Sequence, residues 1–194
     1  MPTRLYLVRH APTTAPSGSL VGSSDLSLSG SGLDRLQGVV PKVAEVKCWY
    51  CSPMVRTRQT MQELERCGCR PENVQYDERL REIDFGRWEL QSFSDIAAAD
   101  PELVQAWQRY EDFVFPQGEA VTAFTGRVRE MLDFFNALPE TTIGVMTHGG
   151  VIRTMICLAL GLDAKNYLLF DVRPASLTVL DLFDQGGILR GLNL

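Results

Sequence analysis

Short apolar runs alternate along the chain with longer stretches whose apolar residues recur every three or four positions. Residues 4–9 (RLYLVR), 47–51 and 142–147 read as short buried strands, 74–77 as a brief one, and 176–183 as a longer strand rich in β-forming residues. Residues 188–192 can pair with that last strand across the Gln185-Gly186-Gly187 turn. Helical spacing or composition marks 29–46, strained or broken near Pro41, and 54–66, where Pro53 precedes the first turn. The same signals mark 119–138, with Val121, Phe124, Val128, Met131, Leu132 and Phe135 on one face, and 149–160, ended by Gly161. Residues 93–115 predict one or two helices, the second opened by Pro101, and 11–31 and 80–90 predict loops. Strands alternating with helices give an α/β fold with a wound, mostly parallel central sheet flanked by helices. No repeat or linker interrupts the pattern. The expectation is one domain over 1–194 with a small helical lid around 91–118.

Composition narrows the function classes. The chain has 194 residues, long enough to bury a full core without disulfides or metals. Its 19 Lys and Arg are outweighed by 24 Asp and Glu, for a net charge of −5, and no dense basic stripe interrupts the balance. That argues against a nucleic-acid partner. The apolar run 155–160 is too short to span a bilayer, and the first residues lack a signal-peptide pattern. Five cysteines cannot all pair within one chain, so reduced thiols in the cytoplasm fit best. Cys48 and Cys51 in CWYC, with Cys67 and Cys69 in CGC, hint at zinc. However, the second pair has one intervening residue, and on a strand Cys48 and Cys51 point to opposite faces. Buried apolar thiols are the simpler reading. The sequence does not reveal an oligomeric state.

The chain holds two histidines, and each directly follows a predicted strand: His10 after Arg9, and His148 between Thr147 and Gly149. Ligands of open α/β sheets bind outside the carboxyl ends of strands, so this placement suggests one site, with two structural histidines as the plainer alternative. Arg56 lies in the first turns of a helix just after the second strand. Guanidinium groups match phosphate oxygens, and helix starts after Ser52 and His148 add backbone donors. Arg9, Arg56, His10, His148 and two helix starts at one edge make a phosphate pocket. A phosphate ester also needs a proton for its leaving oxygen. Glu82, Asp84 and Glu89 are all candidates by spacing, in a segment where Phe85 and Trp88 supply apolar surroundings.

These motifs resemble the histidine phosphatase superfamily, the phosphoglycerate mutase-like branch. Residues 7–13 (LVRHAPT) are similar to its opening Arg-His-Gly motif, 22–29 to its following Gly/Asp/Leu loop, and 52–60 to its Ser-Pro-x-x-Arg segment. Residues 80–89 resemble its Leu-x-Glu-x-x-x-Gly-x-x-Glu segment, Gly118-Glu119 with Arg127-Val128 its Gly-Glu-Ser…Arg-Val stretch, and 147–153 its closing His-Gly motif. Six matches stand in family order. The resemblance implies that His10 is the nucleophile that becomes phosphorylated. It implies that Arg9, Arg56 and His148 bind phosphoryl oxygens, with Gly149 beside them, and that Glu82 is the proton donor. Thr13 contacts the phosphate or the nucleophile's surroundings. Ala11 departs from the family's Gly, which would permit a left-handed backbone or a close approach, and Val21 departs from a frequent aromatic.

The mechanism this implies is in-line attack by neutral His10, with Arg9, Arg56 and a cationic His148 meeting the charge on the equatorial oxygens. Glu82 protonates the leaving oxygen and then activates water. The cations do what Mg²⁺ does elsewhere, so neither metal nor cofactor is expected, and the partner is a small phosphate ester. Mutases of the branch carry a longer insertion where this chain has only residues 91–118, which favours a hydrolase over a mutase-type phosphotransferase. The Gly-Arg-Trp-Glu run and the length look like α-ribazole-5′-phosphate phosphatases. A catalytically silent phosphate-binding module is disfavoured by the presence of His10 and Glu82. Trp107 and Tyr110 in the lid are candidates for setting specificity, although packing alone accounts for them and for Phe113 and Phe115.

Overall fold

The computed structural model of the protein describes residues 2–110 and 112–194. Its strands are β1 (Thr3–Arg9), β2 (Cys48–Cys51), β3 (Asn73–Tyr76), β4 (Thr142–Thr147), β5 (Leu177–Phe183) and β6 (Gly186–Gly191). Its α-helices are α1 (Arg35–Val43), α2 (Val55–Arg66), α3 (Phe93–Ala99), α4 (Pro101–Trp107), α5 (Val121–Ala137) and α6 (Gly149–Ala159). The described strands form one mixed sheet in the order β3-β2-β4-β1-β5-β6. The first four are parallel, whereas β5 runs antiparallel to β1, and β6 to β5. The architecture is α/β, as the alternation of patterns implies.

Alternation along the strands sends side chains to two cores. Leu5, Leu7, Tyr50, Ile143 and Val145 pack with α5 and α6 on one face. Val8, Trp49, Cys51 and Met146 pack with α1 and α2 on the other. Cys48 leans on the first core and Cys51 sits in the second, as their odd spacing on a strand requires. Among the described residues, no three His, Cys, Asp or Glu side chains converge as a metal site.

Element boundaries differ from the sequence pattern chiefly at ends. The first helix is shorter than 29–46 and starts only at Arg35, with Pro41 inside it. The 93–115 stretch divides into α3 and α4, with Pro101 opening the second, as helix-start chemistry favours. The 80–90 stretch is irregular over 81–85, as expected of a loop, and contains one 3₁₀ turn, Gly86–Trp88, after another that ends at Leu80. A 3₁₀ segment, Ala164–Leu169, carries no sequence pattern that announces it.

Register sets up the site. Arg9 pairs with Thr147 across β1 and β4, so His10 and His148 leave the sheet side by side, and the His10 amide donates to the Thr147 carbonyl (3.0 Å). Cys51 pairs with Met146, and the Ser52 amide donates to the Met146 carbonyl (2.9 Å), which brings the start of α2 to the same edge.

Candidate active site

The two imidazole rings face each other with centroids 5.2 Å apart, and both are buried. His10 Nδ1 lies 2.8 Å from the Ala11 carbonyl oxygen. A carbonyl only accepts, so Nδ1 carries the hydrogen and Nε2 keeps a free lone pair. Burial, and then the charges of Arg56 and Arg9, push the His10 pKa well below its ordinary 6.5. His10 is therefore a neutral ring with an available nitrogen.

His148 departs from expectation. Arg56 Nε–H donates to its Nδ1 (3.1 Å), which must be bare, while its Nε2 lies 2.8 Å from the Ser52 hydroxyl oxygen. A cationic His148 would need hydrogens on both nitrogens and would face the guanidinium with like charge. Burial, with Arg56, His10 and Arg9 nearby, pushes this ring well below 6.5 as well. The ring is neutral, and it orients Arg56. Because the chain has only two histidines, imidazole NMR resonances report each cleanly. Between pH 7.5 and 6.5 neither should titrate; a midpoint at or above 6.5 would overturn the assignment. The sign of the linked stability follows: below 6.5 the unfolded chain takes up protons that the folded chain refuses. Stability is thus full above pH 6.5, is lost as pH falls below it, and levels off beneath the folded-state values.

Arg56 is fully buried at the first turn of α2. Its remaining nitrogens donate to the Ser24 and Gly22 carbonyls (2.8 and 2.7 Å). That loop is itself held by Glu89, whose carboxylate accepts from the amides of Gly22, Ser23, Ser24 and Phe85 at 2.8–3.2 Å. Arg9 reaches the Val172 carbonyl through one terminal nitrogen (2.5 Å), while its Nε is buried without a partner. An orphaned guanidinium donor beside a bare imidazole nitrogen is what an anion would satisfy.

The three candidate carboxylates now separate. Glu89 is consumed by backbone amides. Asp84 accepts from the Ser23 hydroxyl (2.7 Å) and the Gly86 amide (2.8 Å). Glu82 lines a cavity of about 530 Å³ together with Arg9, Gly149 and Gly150. It accepts from the Gly150 amide (2.8 Å) and the Ile83 amide (3.1 Å). A Cβ on Gly150 would collide with Glu82 Oε1, and one on Gly149 would crowd the Arg9 guanidinium, so the Gly-Gly pair is a steric condition of the site. Arg127 fixes the Glu82 segment from behind by donating to the Arg79, Arg81 and Glu82 carbonyls while paired to Glu119.

Two expected contributions differ. The first amide of α2, on Val55, is taken by Asp25 Oδ1 (2.7 Å), and the Gly150 amide of α6 by Glu82, so these two donors are already engaged by carboxylates. Thr13 forms an isolated bridge with Leu28 and its hydroxyl accepts from the Ala15 amide (3.4 Å); like His10, Arg56 and His148, it is not among the residues that line the cavity beside Glu82. Ala11 is fully buried with an ordinary backbone and its amide on Thr60 Oγ1 (3.0 Å), so the position needs no glycine. Asp25 and Val172 carry no role in the sequence reading, which gives Ser52 only as a helix start and Glu89 only as an alternative proton donor. Glu119 and Arg127 stood in a recognised motif without a role.

A sequence profile of the histidine phosphatase superfamily, branch 1, matches residues 5–194. The chain is 28% identical over 188 residues to the "Probable phosphoglycerate mutase GpmB" of Erwinia tasmaniensis, covering 92% of this chain and 84% of that protein. It is 26% identical to the adenosylcobalamin/alpha-ribazole phosphatase of Salmonella typhimurium, covering 98% and 96%. The alpha-ribazole phosphatase structure from Shigella flexneri superposes with a TM-score of 0.83 at 25% identity, covering 99% and 96%.

Proposed function

We propose, because the chain belongs to the histidine phosphatase superfamily, that it hydrolyses a small phosphomonoester through a phosphohistidine at His10. The observation that carries this reading is His10, whose Nδ1 is held by the Ala11 carbonyl so that Nε2 is bare, within the field of the Arg9 and Arg56 guanidinium groups, both of which also feel Glu82.

In the first step the Nε2 lone pair attacks phosphorus. The P–O ester bond breaks, its electrons pass to the leaving oxygen, and the Glu82 carboxyl proton follows them. Arg9 Nε–H and the unused N–H groups of Arg56 hold the equatorial oxygens in a preorganised field. His148 releases the Ser52 hydroxyl and turns its Nε2–H to the phosphoryl group, with Gly149 against Arg9. In the second step Glu82, now a carboxylate, takes a proton from water as its oxygen bonds phosphorus. The P–N bond breaks and its electrons return to Nε2. Segment 91–118 acts as the lid over the leaving group. Its brevity supports hydrolysis over transfer to a second substrate. The likeness to alpha-ribazole phosphatases supports α-ribazole-5′-phosphate as the first substrate to assay. Five free thiols fit action in the cytoplasm.

The test is a rapid quench with a ³²P-labelled phosphomonoester. Label should appear on His10 as acid-labile, base-stable phosphate, and EDTA should leave turnover unchanged. Label on another residue, or turnover silenced by EDTA, would sink the mechanism.

A further inference from the structure

The cavity beside Glu82 has a built wall. Phe85 meets Phe115 edge-on (5.0 Å between centroids), Phe115 meets Trp107 (5.3 Å), and Trp107 meets Phe93 (6.4 Å). All four rings line the cavity, so a continuous aromatic surface runs from the Glu82 loop to Phe93, which is 53% exposed. A second pair, Tyr110 stacked on Tyr167 at 4.7 Å, lines it too. Tyr110 holds a left-handed backbone (φ 55°) that costs a non-glycine residue free energy, so packing fixes its ring in place.

The charges that line the cavity have one sign beyond the proton donor. Arg9 and Arg153 contribute cations, Lys165 contributes a third that is paired with Asp163 (3.1 Å), and among the described residues Glu82 is the one carboxylate in the lining. An ammonium beside the phosphate would sit among the like charges of Arg9 and Arg153, and the one carboxylate it could reach there is the proton donor itself.

We infer that the leaving group is a planar, ring-bearing alcohol, neutral or anionic, and that phosphomonoesters with an ammonium beside the phosphate are rejected. This rests on the phosphatase reading above. A leaving oxygen at Glu82 places the next atoms against Phe85 and Phe115, and a volume of about 530 Å³ is far larger than serine or glycerate would fill. Faces and edges of rings reward a flat apolar group, whereas a small polar alcohol would leave water against them.

The experiment compares kcat/KM for primary-alcohol phosphates of similar leaving-group acidity: adenosine 5′-monophosphate, 2-(1-naphthyl)ethyl phosphate, ethyl phosphate and phosphoserine. The ring-bearing esters should exceed ethyl phosphate by about tenfold or more, and phosphoserine should fall below it. In Trp107→Ala and Phe93→Ala the ratio of naphthylethyl to ethyl phosphate should drop about tenfold. Phe93 is exposed, so its truncation does not threaten the core. Phosphoserine turned over as well as the ring-bearing esters, or a ratio untouched by both substitutions, would overturn the inference while leaving the phosphatase reading intact. No turnover of any ester, with no label on His10, would overturn both.

Discussion

His10→Ala lowers kcat by roughly 10⁴-fold or more and abolishes the labelled phosphoenzyme. The expected loss is this large because in the proposed mechanism the ring supplies the bond to phosphorus, and no other side chain described at this edge offers a bare nitrogen. His148 sits 5.2 Å away, but its Nδ1 is taken by Arg56. Arg9 and Arg56 keep their own anchors in the variant, so inorganic phosphate still binds, measured by calorimetry. The fold also survives, since the β1–β4 register does not depend on the ring. Below pH 6.5 the variant loses less stability on acidification than the parent, because one of two buried rings that resist protonation is gone. Activity within tenfold of the parent would remove His10 from the mechanism.

Glu82→Gln is the second large effect, and its size depends on the substrate. For alkyl phosphates kcat/KM falls by about 10³-fold, within the range for lost general acid catalysis. For 2,4-dinitrophenyl phosphate, whose phenolate leaves without a proton, the first step is nearly spared. The second step is not, because an amide cannot take a proton from water. The variant therefore releases about one equivalent of dinitrophenol per site in a burst and then stalls as phosphohistidine. The glutamine oxygen still accepts from the Gly150 amide, whereas the Ile83 amide loses its acceptor, so one of the two anchors of the side chain remains. A loss of equal size for alkyl and dinitrophenyl esters would mean that Glu82 organises the site without moving a proton.

How much of this was legible in the sequence depends on distance along the chain. That His10 and His148 end strands is written in local apolar runs, and a parallel pairing of those two strands suffices to bring the rings together. The start of α2 follows from Pro53 and helical composition, which places Arg56. What could not be read is which groups are already engaged. The amide of Val55 looks like a free donor until Asp25, thirty residues away, is found on it. Glu82, Asp84 and Glu89 are equivalent by composition, and apart from the family resemblance what distinguishes them is the fold of 22–24 onto Glu89, the Ser23 and Gly86 bonds to Asp84, and the place of Glu82 in the cavity wall. The charge state of His148 was misjudged for the same reason, since it is set by one hydrogen bond from a residue 92 positions away. The Ala11 substitution looked like a change in geometry; the backbone there is ordinary, and the methyl fills the second core.

The antiparallel placement of β5 against β1 has a consequence for how the protein comes into being. The Arg9 and His10 carbonyls accept from the Ala175 amide, and Arg9 is steadied by Val172. The strand that carries His10 is thus completed on one side only by residues some 163 positions further along the chain. A nascent chain emerging from the ribosome can assemble β1 to β4 with their helices, yet the Arg9 side chain lacks its Val172 anchor, and β1 its β5 neighbour, until the 172–182 stretch arrives. Pairing of segments this far apart is a late and slow event in folding. Phosphatase competence should therefore appear abruptly, once the 172–182 stretch docks, rather than grow with chain length.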